Sequence, residues 1–474
     1  MHLKKTYIIP ALIVAVFCMM TACKKNRTLT NGGTLKFSTD TLKFDTVFTA
    51  AGSFTMSMKI YNPQNEAVVL SSVKLQKGNS SYFHLNIDGF QGNAHSDLKI
   101  AAHDSAYVFA TVNIDPTDSN APFIITDNLI ATLNGKDFTV PFTAYGQNAH
   151  YIVDSTLGVP GQTITWLTDK PYVIIHNAAV DSGATLILPA GCRVYVNQDS
   201  RLFVVGTLLV NGNQNDSVVF QGDRLDRSYY GYEGYPGEWG GLYFTSSGVG
   251  RLSHAILKNC GGSTTLNGSV VSPAAVQLSP GAYVAMDHTV IENSIGYGIL
   301  NFQGYLQATN CLIHTCGAQA LASLQGGWDS LVNCTFAIYP TNKLSHTDNG
   351  TMALLNYYKA GDNSITAGDL RATLTNCIIY GSLENELVCD TVSAAVASIV
   401  LNNCLVKADS LKSFVQLNNC ILNQDPKFNS TTTPDFHLSG SSPAIGAGTN
   451  VSGLTDDLEY KPRSSPFDVG CYVH

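Results

Sequence analysis

The sequence predicts an all-β protein in two successive parts, a sandwich of short strands followed by a parallel solenoid. Three observations carry this expectation. Charged residues are 13% of the 474-residue chain, and 36 Asn outnumber the 27 Lys plus Arg, with 41 Gly besides. The apolar share of 45% is enough for a core and too high for a disordered chain. Short apolar runs punctuated by turn residues fill positions 34 to 146, and an Asn-centred pattern then recurs to the end of the chain. A net charge of -8, with no Lys/Arg cluster beyond the first 30 residues, argues against nucleic acid as a partner.

Residues 1–22 read as a lipoprotein signal peptide. Lys4 and Lys5 precede an apolar run from Tyr7 to Met20, too short for a comfortable membrane span. The run ends in Thr21, Ala22 and Cys23, which resembles a bacterial lipobox. That resemblance implies cleavage before Cys23, lipidation of its thiol and anchoring to the membrane by acyl chains. It places the protein in the cell envelope, as an outer membrane lipoprotein. Residues 23–33 form a polar tether with Lys24, Lys25 and Arg27 but no acidic run, so the leaflet stays open.

Residues 34–148 carry seven candidate strands: Phe44 to Phe48, Phe54 to Tyr61, Ala67 to Leu75, Tyr82 to Ile87, Ala106 to Ile114, Leu129 to Leu133 and Phe138 to Tyr145. Asn134-Gly135 between the last two is a two-residue hairpin signal. Seven short strands at this spacing suggest an immunoglobulin-like β-sandwich. It contains no Cys, hence no disulfide between its sheets. The segment resembles immunoglobulin-like modules of bacterial envelope proteins, which implies a spacer.

Residues 160–440 hold the repeat. Asn310, Asn333, Asn376, Asn403 and Asn419 are each followed by Cys. Each has an apolar residue two before it and three after it, as in Ala308 and Ile313, or Leu331 and Phe336. His254 and His288 fit the same frame, and Asn356 fits it more weakly. The column then steps by 34, 22, 23, 23, 20, 27 and 16 residues. A second column contains Asn259, Asn293 and Thr315. In a solenoid the rungs lie about 4.8 Å apart, so identical residues stack. Stacked Asn can bond along the column where stacked charges would repel, and Cys can pack inward as a small hydrophobe. The ten Cys after Cys23 are therefore expected to be buried free thiols.

The strands Thr185 to Gly191, Leu202 to Gly206, Thr207 to Gly212 and Ser217 to Gly222 resemble the opening rungs of right-handed parallel β-helix proteins of the pectin-lyase-like superfamily. Residues 441–474 resemble the closing segment of secreted bacterial members, through Ser442-Pro443-Ala444-Ile445-Gly446, Asp456-Asp457, Arg463 and Phe467 to Tyr472. The family usually has Asp where Gly446 stands and Ala where Cys471 stands. The resemblance implies a right-handed parallel β-helix over residues 160 to 474. It implies little about activity, because the superfamily includes lyases, hydrolases, adhesins and non-catalytic members.

The densest polar group is the segment 223–241. It holds Asp223, Asp226, Tyr229, Tyr230, Tyr232, Glu233, Tyr235, Glu238 and Trp239. Aromatic faces beside hydrogen-bonding groups suit sugar rings, so Tyr229, Tyr230, Tyr232, Tyr235, Asp223 and Asp226 are the candidate ligand contacts. Trp239 runs straight into a strand and is expected to be structural. His254 with His288 is a candidate metal or proton-transfer pair, weighed against simple substitution in the Asn column. Asp456-Asp457 resembles a hydrolase pair but is expected to hold turn amides or Arg463. Cys311 and Cys316 lack partners for a zinc site. No cofactor and no metal are expected. The sequence favours a non-enzymatic, membrane-anchored envelope protein that binds polysaccharide or another surface glycan. The alternative is a polysaccharide lyase or glycoside hydrolase on the same fold.

Overall fold

The computed structural model describes residues 27–49, 52–115, 123–225, 234–266, 269–409 and 411–474. The chain divides after Gln147 into two compact units.

In the first unit all seven expected strands form, as Leu42–Phe48, Met56–Tyr61, Val68–Leu75, Phe83–Ile87, Ser105–Val112, Phe123–Leu133 and Lys136–Gln147. They lie in a five-stranded and a six-stranded sheet. Pairing is antiparallel except where Leu42–Phe48 runs parallel to Lys136–Gln147. Asn134 and Gly135 close the longest hairpin with φ of 49° and 80°, as a type I′ turn requires. Alternate residues of both sheets point into one core. There Phe83 of one sheet meets Phe44 and Phe142 of the other, each at 5.6 Å between ring centroids.

The second unit is a parallel β-helix with three faces. The first face stacks ten strands, among them Thr185–Pro189, Thr207–Asn211, Val249–Ser253, Tyr283–Asp287, Tyr305–Thr309, Gly327–Val332, Leu370–Thr375 and Ala397–Asn402. Strands of the second face, such as Val290–Ser294 and Leu312–Cys316, follow directly after the Asn or His corner. Those of the third, such as Tyr297–Asn301 and Leu321–Ser323, complete the rung. His150–Leu157 opens both the second and the third face, and the long strand Tyr172–Val180 lies on it, pairing in turn with Arg193–Val196 and then Arg201–Val204.

The register follows the sequence pattern. The residue two before each corner pairs in the series Leu252, Met286, Ala308, Leu331, Leu374, Leu401, Leu417. The residue three after it pairs in the series Leu257, Ile291, Ile313, Phe336, Ile379, Val406, Leu422. Both series line the core, apart from the last rung, where Leu417 and Leu422 are exposed. The ten described Cys from Cys192 to Cys471 are free thiols, all buried except the partly exposed Cys420.

Two expectations change. Asn356 is not a corner, because Leu331 pairs directly with Leu374 while Leu354 lies on the third face between Ser323 and Cys389. The step from Asn333 to Asn376 is one long rung, enlarged by the hairpin of Tyr357–Lys359 with Ile365–Ala367. Asn356 instead binds the backbone of Val392 and Ala395.

The second change concerns why the corners are Asn. His254, His288, Asn310, Asn333, Asn376, Asn403 and Asn419 all have φ between 47° and 53°. This left-handed conformation turns the chain sharply in one residue, and Asn tolerates it better than most residues with a Cβ. Along this column Asn376 donates to Asn333 at 3.2 Å, and Asn310 Nδ2 reaches His288 Nε2 at 3.5 Å. Otherwise the amides reach sideways to the C-terminal segment, which lies over the corners. Asn310 donates to Asp456 O, Asn333 to Gly470 O, Asn376 to Thr449 O and Asn403 to Ala447 O. In the second column Asn293 donates to Asn259 at 2.6 Å, as stacking predicts.

Candidate functional site

The faces differ in what their outer sides meet. Outward residues of the second face, such as Leu312, Ala337, Ile378 and Leu405, are covered by Phe436 and Leu438 and by Val469 and Cys471 of the C-terminal segment. On the third face the outward Leu300, Ala322 and Ala353 are buried. The first face alternates buried and exposed positions along nearly every strand and presents its outer side to solvent.

One outward column of that face carries large aromatic residues. Val249, Tyr283, Tyr305, Trp328, Arg371 and Ser398 are in-register neighbours on six successive rungs. Tyr305 is 41% exposed and Trp328 48%. Their rings meet edge to face at 5.1 Å. The Arg371 guanidinium lies 5.3 Å from the Trp328 ring centroid, an arrangement that holds the indole in place. The parallel column beside it is mostly uncharged: Arg251, Ala285, Gln307, Ser330, Thr373 and Val400. Tyr283 donates its hydroxyl hydrogen to Gln307 Oε1 at 2.9 Å. Three aromatic side chains on successive rungs span about 10 Å along the helix axis. The strip thus offers ring faces, hydrogen-bonding amides and hydroxyls, and little charge.

The segment 223–241 is placed differently. Cys23, Asp226, Tyr229, Tyr230 and Tyr232 lie outside the described residues. Asp223 is buried beyond the strand Val218–Gly222 and accepts a hydrogen bond from Asn197 Nδ2 at 2.7 Å. The Tyr235 amide donates to Glu238 Oε1, and the Tyr235 ring sits 5.1 Å from Lys343 Nζ. Glu238 is buried against Gly222, where even a Cβ would clash with its carboxylate. Trp239 is fully buried, donates to Lys258 O and stacks on Phe220, a structural role.

His254 and His288 are neighbours at the corner column, their rings stacked at 4.8 Å. Tyr460 of the C-terminal segment stacks on both and bonds His254 Nε2 through its hydroxyl. His288 Nδ1 is 3.0 Å from Asp287, and its Nε2 is 2.9 Å from Asp457 O and 3.7 Å from Asp456. Burial and the neighbouring His288 hold His254 below the ordinary imidazole range. Burial also acts downward on His288, but the hydrogen bond and charge of Asp287 outweigh it and raise its pKa. Asp457 accepts the amides of Glu459, Lys461 and Val473, and Arg463 bridges Asp456 O, Asn310 Oδ1 and Gly470 O. These groups hold the C-terminal segment to the corners. Among the described residues no group of three or more His, Cys, Asp or Glu has metal-binding geometry.

No family model matches the chain, and no curated protein matches it. Solved structures give slight similarities. The catalytic domain of a family 87 α-1,3-glucanase in complex with nigerose aligns over 82% of this chain and 91% of its own, at 10% identity and a TM-score of 0.21. A family 123 glycoside hydrolase from Clostridium perfringens aligns over 26% of this chain at 9% identity and a TM-score of 0.18. The E. coli chaperone DraB aligns over 25%, also at 9% and 0.18. The alignments span 31% of the hydrolase chain and 57% of the chaperone chain. Similarity this slight carries no argument about activity.

The aromatic strip escaped the sequence reading, although a signal for it exists. Tyr283, Tyr305, Trp328 and Arg371 each stand five residues before a corner, at His288, Asn310, Asn333 and Asn376. The outward phase of the strand before the corner identifies them once the register is fixed.

Proposed function

We propose that this is a lipid-anchored envelope protein that binds an extended polysaccharide on the outer side of the first face without transforming it. In this reading Cys23 carries the anchor to the outer membrane, and the immunoglobulin-like first unit is a spacer. The remainder is a right-handed, pectin-lyase-like β-helix whose aromatic strip receives the glycan. The observation that carries the reading is the in-register series Tyr283, Tyr305, Trp328, with Arg371 packed on the indole. Aromatic faces stack on the C–H faces of sugar rings, and an axial strip suits a chain of sugars better than a compact ligand. The polar groups gathered at His254 and His288 are engaged in holding the C-terminal segment, which favours binding over chemistry.

The test is a glycan-array screen of the full chain, followed by affinity measurements on the best ligand and turnover assays on polyuronides and neutral glucans. Trp328→Ala is expected to weaken binding by about 2 kcal/mol, roughly thirty-fold in Kd, as loss of a buried aromatic anchor does. Failure of the wild-type chain to bind any glycan sinks the proposal. Cleavage of a substrate would favour the lyase or hydrolase alternative.

A further inference from the structure

The thiols of Cys311, Cys334, Cys377, Cys404 and Cys420 form a single file inside the β-helix. Each follows its corner residue directly, and the strands after them pair in register, so each thiol lies over the next. The thiols donate to backbone carbonyls: Cys311 to Thr309 O, Cys334 to Val332 O, Cys377 to Thr375 O, Cys404 to Asn402 O and Cys420 to Asn418 O. The first four are buried, while Cys420 on the last rung is partly exposed, beside the exposed Leu417 and Leu422. The file is therefore closed along its length and open at one end.

We propose that the Cys404–Cys420 end of this file is a binding site for a soft monovalent d10 cation, Cu(I) or Ag(I), held linearly between two sulfur atoms. Both the spacing and the charge of the site suit such a cation. A metal–thiolate bond of about 2.3 Å makes a linear S–metal–S unit about 4.6 Å long, close to the 4.7–4.9 Å that separates adjacent rungs. Soft sulfur ligands select Cu(I) among biological cations. Zinc needs four ligands, and the file gives each position only the thiols above and below. Charge also balances. The cation replaces one proton, so M⁺ and two thiols become a neutral thiolate–metal–thiol unit with one H⁺ released to solvent. No uncompensated charge enters the apolar interior.

The experiment titrates the full chain with Ag⁺ under reducing, chloride-free conditions. Native mass spectrometry reads stoichiometry, and X-ray absorption reads the metal's neighbours. The expected result is silver with two sulfur neighbours, with zinc failing to displace it. Cys420→Ser, at the partly exposed end, is expected to lower the silver bound by at least one ion per chain and weaken retention at least ten-fold, while Cys389→Ser changes neither. Equal stoichiometry and retention in Cys420→Ser would place the silver at other cysteines and overturn the proposal. Cys404→Ser gives an independent check wherever its circular dichroism matches the parent.

Discussion

At the scale of single residues, the corners show how conformation and bonding divide the work of one side chain. Asn403 has φ of 50° and donates to Ala447 O at 3.1 Å. Asn403→Ala keeps neither the local preference for the left-handed region nor the bond, and is expected to cost about 2 kcal/mol. Asn403→Gly keeps the conformation and should cost less, and denaturant midpoints of the two variants check the order. Asp329 makes a separate case. It is buried, accepts hydrogen bonds from Asn301 and Ser323, and burial pushes its carboxyl up to about 6 from 3.8. A raised acid binds more protons in the folded than in the unfolded chain between these values. The stability it contributes is thus present at low pH and is lost as pH rises from about 4 to 6. Asp329→Asn is expected to remove that slope and to stabilise the fold at pH 7 by of the order of 1–3 kcal/mol. Unfolding of parent and variant at pH 4.5 and pH 7 measures both effects.

At the scale of elements, the C-terminal segment acts as a strap across the corners. Its carbonyls at Ala447, Thr449, Asp456 and Gly470 receive the Asn amides of successive rungs. Its apolar residues cover the second face. Gly446, with φ of 67°, lets the strap turn where a residue with a Cβ would be strained. Arg463→Ala removes three part-buried hydrogen bonds and is expected to cost about 2–4 kcal/mol, read as a fall in denaturant midpoint. Asn310 and Gly470, its partners, should become more protease-sensitive in the same variant. The repeat frame was legible from sequence because a two-residue alternation and a fixed corner survive rungs of unequal length. The strap was legible as a family-like terminus but not as the partner of the corners, because its bonds join residues up to 206 positions apart. Asn356 misled because it has the right neighbours in sequence but lies in an enlarged rung, where only the strand pairing reveals the insertion.

At the scale of the whole molecule, the low charge content takes on a physical meaning. A solenoid stacks like on like, so its columns are built of Asn, Cys, Leu and Tyr rather than Lys or Asp. The candidate site follows the same rule, since a column that stacks outward aromatics makes a strip rather than a pocket. In the sequence, polar and aromatic residues are densest at 223–241. Asp223, Glu238 and Trp239 show why density misleads: all three are buried against neighbouring rungs. Tyr305 and Trp328 are 23 positions apart in sequence and adjacent in the sheet. The most direct test compares Trp328→Ala and Tyr305→Ala with Tyr358→Ala, an exposed tyrosine off the strip, by calorimetric titration of one bound polysaccharide. The account predicts that both strip variants lose at least ten-fold in affinity while Tyr358→Ala matches the parent. Undiminished binding by both strip variants would contradict it.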